Sequence, residues 1–288
     1  MKIFYVSSEV VPFAKTGGLA DVAGSLPKAL HKLGHDVRIF MPRYKKIDKT
    51  KYKLKKISDD IYQGVLPGSE VIVYFFEHEA FFGSRDDLYQ VKGQDFPDNL
   101  ERFSAFCQAG IRLLEHLKWQ PDAINLNDWQ SALMAAYIKV QHKDDPFFAK
   151  TAVIYSIHNM GYLGIFPKEK LSATGLGWDQ FVPDKLEFWG NIALSKAGLV
   201  YADLISTVSN TYAKEIQTEE FGHGLDGLLR HRSQDVLGIV NGLDYSVWNP
   251  AADTKLKKTY DADKITGKAA NKLELQKQCG LPANKDVP

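Results

Sequence analysis

The sequence predicts an α/β protein built on a doubly wound parallel sheet. Short apolar runs alternate along the chain with longer segments whose apolar residues recur at helical spacing. Several of the runs are continuous rather than alternating, which is typical of strands that helices cover on both faces. Polar residues directly follow some of these runs, and open sheets of this class bind ligands outside the carboxyl ends of their strands. We therefore expect a ligand crevice along that edge.

The first predicted unit is a strand–helix–strand crossover. Residues 2–6 predict a buried strand, and residues 19–33 predict a helix that Gly34 ends in a left-handed conformation. Residues 37–41 predict a second strand, which Pro42 stops. These elements form one βαβ unit, which we expect to be right-handed.

A basic segment follows the second strand. Residues 43–56 include eight lysines and arginines in fourteen positions, interleaved with Tyr44, Tyr52 and Leu54. Such a run can hold a polyanion, but it is more typical of a solvated loop. We predict a mobile loop that leads into an exposed strand.

Strands and helices continue to alternate over the rest of the chain. The further predicted strands are 71–76, 123–126, 151–157, 204–208 and 236–240. The further predicted helices are 100–117, one that ends near Val140, 191–201, one that runs from an N-cap at Ser209 through Gln217, and 271–278.

Composition excludes several classes of protein. The chain has 288 residues, 36 basic and 35 acidic, so its formal charge of +1 favours neither nucleic acid nor an anionic membrane. Two cysteines, Cys107 and Cys279, cannot build a disulfide framework or a thiolate metal site. The sequence has no secretory apolar segment at its start and no apolar stretch of 18 residues. We therefore expect a cytoplasmic protein with neither a nucleic-acid nor a membrane partner.

The loop Lys15-Thr16-Gly17-Gly18 is the first candidate site. It lies between a predicted buried strand and a helix start, where unpaired backbone N–H groups and the positive end of a helix dipole meet. Glycines let a bulky anion approach the main chain, and Lys15 adds a full positive charge. A diphosphate is a plausible ligand. The alternative is that the glycines only form a tight turn and that Lys15 is solvated.

Two further candidates, Asp128 and His158, directly follow predicted strands. Their place at the carboxyl edge of the sheet points to ligand binding. Taken singly, Asp128 is better explained as the N-cap of the next helix and His158 as a satisfied core imidazole.

Two other sequence patterns, a dinucleotide fingerprint and a zinc-ligand pair, lack the neighbouring residues that their function requires. Gly222-His223-Gly224-Leu225-Asp226-Gly227 matches the dinucleotide fingerprint by letter, but it follows a polar, acidic stretch instead of a buried strand. His78-Glu79 lacks the second histidine of a zinc-protease helix, and the eight histidines show no ligand spacing. Neither a nicotinamide site nor a metal site is predicted.

Several motifs together resemble a known family. They are similar in kind and order to those of bacterial glycogen synthases and plant starch synthases, the ADP-glucose-dependent glucan synthases. The opening stretch from Ser7 to Val22 carries the closest resemblance. The other matching motifs are Pro97-Asp98-Asn99, Asn127-Asp128-Trp129-Gln130, His158-Asn159, Thr207-Val208-Ser209, Gly224-Leu225-Asp226-Gly227-Leu228-Leu229 and the stretch from Asn241 to Pro250. One departure is Asn127, where many members carry histidine before the aspartate.

The resemblance implies a fold, an activity and site residues. It implies the Rossmann-like N-terminal half of a two-domain GT-B glycosyltransferase, which lengthens an α-1,4-glucan from ADP-glucose with retention at the anomeric carbon. It implies neither a cofactor nor a metal. On the donor side, it implies that Lys15 and the amides of Gly17 and Gly18 contact the diphosphate and that Asp21 steadies this loop. On the sugar side, it implies that Asp128, Asn241 and Tyr89 line the sugar and acceptor site and that His158 faces the transferring glucose.

The resemblance also implies a domain division. Residues 1–244 match the N-terminal catalytic domain, and residues 245–288 match a linker and the start of a C-terminal nucleotide-binding domain. The family's second domain supplies the adenosine pocket, so we expect this chain alone to have little or no synthase activity. Two other functions stay open: a non-catalytic glucan-binding or regulatory module, and a Rossmann-type epimerase or dehydrogenase, for which no catalytic tyrosine–lysine pair is found.

Overall fold

The computed structural model describes residues 1–287. Its strands are β1 Lys2–Val6, β2 Asp36–Pro42, β3 Lys55–Lys56, β4 Ile61–Val65, β5 Ile72–Phe76, β6 Gln90–Val91, β7 Gln94–Asp95, β8 Ala123–Asn127, β9 Ala152–Ile157, β10 Ile165–Pro167, β11 Glu187–Phe188, β12 Asn191–Ala193, β13 Leu204–Thr207 and β14 Val236–Gly238. Its α-helices are α1 Gly18–Lys32, α2 Asn99–Leu117, α3 Trp129–Ala136, α4 Leu194–Tyr201, α5 Asn210–Glu215, α6 Asp226–His231 and α7 Gly267–Gln278.

The main sheet has nine strands in the order β14-β13-β9-β8-β1-β2-β5-β4-β3. The strands from β14 to β5 pair in parallel, whereas β4 and β3 add an antiparallel edge. From β1 the chain first builds outward through β2 and β5, and then returns to the other side of β1 with β8 and β9. The predicted doubly wound sheet is therefore confirmed, and its topological switch point lies between β1 and β8.

The core forms where helices cover the central strands. Phe4, Val6 and Phe40 are completely buried, and the Phe40 ring stacks on Phe106 of α2 with 4.7 Å between ring centroids. Burial of each such side chain contributes roughly 1.5–3 kcal/mol. The continuous apolar pattern of β1 and β2 reflects this cover on both faces.

The basic segment 43–56 is less solvated than the charge pattern predicts. Tyr44 and Ile47 are almost fully buried, and Tyr44 packs edge-on against Phe82. Arg43 is also buried, and its Nη2 lies 2.7 Å from Glu77 Oε1. The prediction of a solvated loop is wrong for these positions because the tyrosine and isoleucine anchor the segment to the core. The predicted exposed strand is the two-residue β3.

Some element boundaries also differ from the predictions. The helix predicted at 191–201 begins as strand β12 and becomes helical only at Leu194, because β12 pairs with β10 and β11 in a separate three-stranded sheet. The helix predicted to end near Val140 is α-helical to Ala136 and continues as a π-helical turn through Gln141. Ser209 does cap α5, since its Oγ accepts hydrogen bonds from the amides of Thr211 and Tyr212.

The chain divides into two compact units. The first covers Met1–Asn241 and contains both larger sheets, and the second begins at Gly242 and contains α7. Within residues 1–287, none of the helices combines the length and the apolarity needed to cross a lipid bilayer.

Candidate functional site

The candidate residues follow strands that meet at one edge of the sheet. Lys15, Gly17 and Gly18 follow β1, Asp128 follows β8, and His158 follows β9. Because β1, β8 and β9 are parallel neighbours, the loops after them lie side by side at the switch point.

The loop after β1 leads into a helix whose first turn has no side-chain cap. The helix α1 begins at Gly18 with Gly17 at its N-cap position. No atom lies within 4 Å of a Cβ placed on Gly17 or Gly18. The Nζ of Lys15 lies 2.7 Å from the carboxylate of Asp21 in the first helical turn. The loop therefore presents a helix N-terminus and a lysine next to open space.

A buried carboxylate that sequence reasoning missed holds this loop in place. Glu9 is only 4% exposed, and its Oε2 accepts hydrogen bonds from the amides of Thr16 and Gly17, the latter at 3.3 Å. Its Oε1 accepts one from the Thr16 hydroxyl at 2.6 Å. The amide of Gly17, implied as a diphosphate contact, is therefore already paired with a carboxylate. Glu9 comes three residues after β1, so the positional argument used for Asp128 could have found it.

Tyr89 reaches the same carboxylate from the loop between β5 and α2. Its hydroxyl donates to Glu9 Oε1 at 2.8 Å, and its oxygen accepts the Ser8 hydroxyl, with 2.7 Å between the two oxygens. Burial raises the pKa of Tyr89 well above its ordinary value, so the phenol stays protonated. The structure thus brings Tyr89 and the loop after β1 together through Glu9.

Asp128 occupies the N-cap position of α3 but does not cap the helix with its side chain. Its Oδ1 instead accepts the amide of His158 at 2.8 Å, across the boundary from β8 to β9. The backbone of Asp128 has a φ of +54°, a conformation that costs a non-glycine residue about 1–3 kcal/mol and often marks a functional position. Burial raises the pKa of Asp128 to about 7, with the neighbouring Glu9 charge adding to the effect. The simple N-cap explanation is therefore wrong.

His158 is held as a neutral imidazole. Its Nε2 lies 2.9 Å from Asn127 Oδ1, which also accepts the Tyr5 hydroxyl at 3.1 Å. The Asn127 Nδ2 donates to the Val6 carbonyl, and this bond fixes the amide so that its oxygen faces the histidine. Burial lowers the pKa of His158 to about 4. The Nε2 therefore carries the proton, and Nδ1 is an unprotonated acceptor.

Asn241 follows β14, the first strand of the sheet order, two positions from β9, which His158 follows. Asn241 is exposed and follows β14 at the same edge of the sheet. The strand β14 lies four positions from β1 in the sheet order, which corresponds to roughly 19 Å at the usual strand spacing. Its predicted contact with the sugar stays a prediction.

A group that could hold a metal lies elsewhere. Among residues 1–287, Glu115, His142 and Asp145 place ligand atoms within 4.8 Å of one another. Glu115 is near the end of α2, which leads into the start of β8, so the group lies toward the opposite edge of the sheet. His142 Nδ1 is 3.7 Å from Glu115 and 3.5 Å from Asp145, distances that suit ion pairing.

The fold defines a Rossmann-like α/β domain whose first crossover places a helix N-terminus next to open space. Residues 2–231 match the family model described as starch synthase catalytic domain. The chain therefore belongs to the starch synthase catalytic domain family, as the motifs predicted.

Curated relatives and a solved structure agree with this family. The chain is 46% identical to a glycogen synthase of Syntrophotalea carbinolica, 45% to one of Thermotoga maritima and 48% to one of Moorella thermoacetica. Each match covers 100% of this chain but only 60–62% of the relative's length. The catalytic domain of starch synthase IV from Arabidopsis thaliana, bound to ADP and acarbose, is similar with a TM-score of 0.84 and 31% identity, over 98% of this chain and 59% of that chain.

Proposed function

We propose that this chain is the N-terminal, donor- and acceptor-binding part of a glucan synthase that transfers glucose from ADP-glucose to the end of an α-1,4-glucan with retention. The observation that carries this proposal is the arrangement at the switch point: an uncapped helix start and Lys15 follow β1, and the hydrogen-bonded Asp128 and His158 follow the neighbouring strands β8 and β9. Family membership and the relatives named glycogen synthase support the same activity.

The loop after β1 would bind the diphosphate of the donor. The amide of Gly18, the helix dipole of α1 and the Lys15 ammonium supply positive charge next to open space. The Gly17 amide would contribute only after it leaves Glu9. Asp21 holds Lys15 within reach of the loop until the anion arrives.

The aspartate–histidine pair would bind the glucose. Asp128, with a pKa near 7, can either donate to or accept from a sugar hydroxyl at neutral pH. His158 keeps an unprotonated Nδ1 as an acceptor. Tyr89 and Asn241 would line the acceptor side of the same cleft.

Transfer breaks the bond between the anomeric carbon and the diphosphate oxygen and forms a bond to the oxygen of the glucan hydroxyl, whose proton passes to the departing diphosphate. ADP leaves with the electron pair of the broken bond, so fixed positive groups at the diphosphate stabilise the transition state. The glucosyl group gains positive charge, which nearby carboxylates and dipoles stabilise. Because lysine and helix N-terminus supply this charge, the proposed reaction uses neither a metal nor a cofactor.

Calorimetric titration of the chain with ADP tests the donor site. We expect Lys15→Ala to weaken ADP binding at least tenfold, since a hydrogen bond to a charged group contributes roughly 1.5–3 kcal/mol. Lys32→Ala is the matched control, because Lys32 is an exposed lysine at the far end of the same helix. We expect that variant to bind ADP like the parent chain.

Two other results would contradict the proposal. Equal ADP affinity of the Lys15→Ala variant and the parent chain would exclude the loop as the donor site. Saturable binding of maltooligosaccharide that is insensitive to Lys15→Ala, together with no ADP binding, would instead support a non-catalytic glucan-binding module. In assays with labelled ADP-glucose and glycogen, we expect the 288-residue chain by itself to transfer little or no glucose.

A further inference from the structure

The loop that carries Tyr89 is fixed by a buried arginine at the start of α2. Arg102 is 0% exposed, and its guanidinium donates to the carbonyl oxygens of Phe81 at 2.7 Å and Leu88 at 2.9 Å. These two carbonyls belong to separate parts of the loop between β5 and α2. A buried guanidinium is costly unless its donors are paired, so this arrangement holds the loop closely to the helix.

Asn99 connects this arginine to Tyr89 itself. Asn99 is 1% exposed, and its Oδ1 accepts from Arg102 Nη1 at 2.5 Å. Its Nδ2 donates to the backbone carbonyl of Tyr89 at 2.9 Å. Each half of the amide therefore has a different partner, and only the Nδ2 half acts on Tyr89.

The same series of hydrogen bonds continues to the loop after β1. The Tyr89 hydroxyl donates to Glu9 Oε1 at 2.8 Å, and Glu9 Oε2 accepts the amide of Gly17 at 3.3 Å. An unbroken path thus runs from Arg102 through Asn99, Tyr89 and Glu9 to the crossover loop.

We propose that Asn99 is a positioning residue for glucan binding, which acts by fixing the backbone of Tyr89 and so aiming its hydroxyl. The inference rests on the proposed function, because it takes Tyr89 to line the acceptor site. Asn99 lies behind Tyr89 and is almost completely buried, so it acts through the tyrosine. Arg102 holds Asn99 in the orientation that this requires.

The variant Asn99→Asp separates positioning from stability. An aspartate keeps the oxygen that accepts from Arg102 and adds a charge that favours this pairing. It removes the Nδ2 donor and places a carboxylate oxygen opposite the Tyr89 carbonyl. We therefore expect the variant to unfold close to the parent chain in urea while its Tyr89 loop shifts.

The test is calorimetric titration of the 288-residue chain with maltotriose and, separately, with ADP. We expect Asn99→Asp to weaken maltotriose binding about 3- to 10-fold, the effect of one neutral hydrogen bond. Tyr89→Phe should weaken it to a similar degree, and the double variant should bind no more weakly than Tyr89→Phe alone. Asn271→Asp, which adds the same charge on α7, is the control and should bind like the parent chain.

The outcomes distinguish a failure of the role proposed for Asn99 from a failure of the proposed function. If the parent chain binds maltotriose and Tyr89→Phe weakens this binding, but Asn99→Asp does not, the role of Asn99 is overturned and the proposed function stands. Effects of Asn99→Asp and Tyr89→Phe that add fully also overturn it, since a merely structural role predicts additivity. A parent chain that binds neither maltotriose nor ADP overturns the proposed function, and the role of Asn99 with it.

A second variant keeps the test decisive if Asn99→Asp fails to fold. Arg102→Lys retains the positive charge but carries its donors on one nitrogen, whereas the bonds to Phe81, Asn99 and Leu88 come from three different guanidinium nitrogens. We expect the same loss of maltotriose affinity, again absent in the Tyr89→Phe background. Unchanged affinity in this variant would overturn the proposal.

Discussion

The chain contains two glycine-rich loops that precede helices, and only one of them faces open space. The loop 15–18 follows buried strand β1 and begins the 15-residue helix α1. The loop 222–227 follows α5, and its last two residues begin the six-residue α6. A Cβ on Gly17 or Gly18 would meet no atom within 4 Å, whereas one on Gly222 would lie 2.4 Å from the Asp226 Cβ.

The glycines of the two loops differ in what surrounds them. In the loop 222–227, Gly222 lies against Asp226, and Gly224 adopts a φ of +81° with Phe188 packed against it. Packing and backbone conformation therefore explain these glycines fully. Neither explains Gly17 and Gly18, which lie next to open space, as the proposed diphosphate site requires. The letter pattern G-x-G-x-x-G occurs at 222–227, where packed groups surround Gly222 and Gly224. A pattern of letters carries no information on which side of the backbone has free space.

A side chain added at Gly18 should have the largest effect on the difference between the two loops. We expect Gly18→Val to weaken ADP binding on the order of a hundredfold, since it blocks the approach to amides whose hydrogen bonds to a charged group contribute roughly 1.5–3 kcal/mol each. The free energy of unfolding should change by less than about 1 kcal/mol, because the new side chain meets open space. Titration with ADP and urea denaturation measure the two effects. Normal ADP affinity in this variant would mean that the loop does not bind the anion.

The acid beside the first loop gives a second, electrostatic test. Burial raises the pKa of Asp128 to about 7, so the folded chain binds a proton that the unfolded chain releases near pH 4. The contribution of Asp128 to stability should therefore fall as the pH rises from about 4 to 7. We expect Asp128→Asn to remove this fall and to be more stable than the parent chain at pH 8 by roughly 2 kcal/mol, about half the full effect of such a pKa shift for a side chain that keeps some contact with solvent.

Urea denaturation of both chains between pH 4 and pH 8 checks this expectation. The neighbouring His158 has the opposite effect, because its pKa is lowered to about 4 and its contribution falls as the pH drops below about 6.5. Because both chains contain His158, its contribution cancels when the free energy of unfolding of the parent chain is subtracted from that of Asp128→Asn. A difference that does not grow with pH would show that the carboxyl titrates normally.

The smallest expected effect comes from the second loop. Gly224→Ala should lower the free energy of unfolding by about 1–2 kcal/mol, because an alanine at a φ of +81° is strained and its Cβ would lie 3.1 Å from the Phe188 ring. Its ADP affinity should equal that of the parent chain. Weaker ADP binding without loss of stability would reverse the assignment of the two loops.

Much of the site was predictable from position alone. Asp128 and His158 stand out in the sequence because they directly follow strands, and the structure joins them by a hydrogen bond. Glu9 was missed because its partner Tyr89 lies 80 residues further along the chain, and Asn99 was named only as part of a motif, without a role. No spacing rule brings residues 9 and 89 together, since only the sheet order places their loops side by side.

The local sequence determined the alternation of strands and helices, the crossover loop and the Ser209 cap, since these depend on neighbouring residues and on apolar periodicity. It also determined the family, because the motifs stand in a fixed order along the chain. The tertiary structure decided that Tyr44 is buried in a basic segment, that the Gly17 amide pairs with Glu9, and that Asp128 binds the amide of His158 rather than its own helix. Each of these depends on which group fills the space next to a residue, and that is fixed only when the sheet, its loops and its helices pack together.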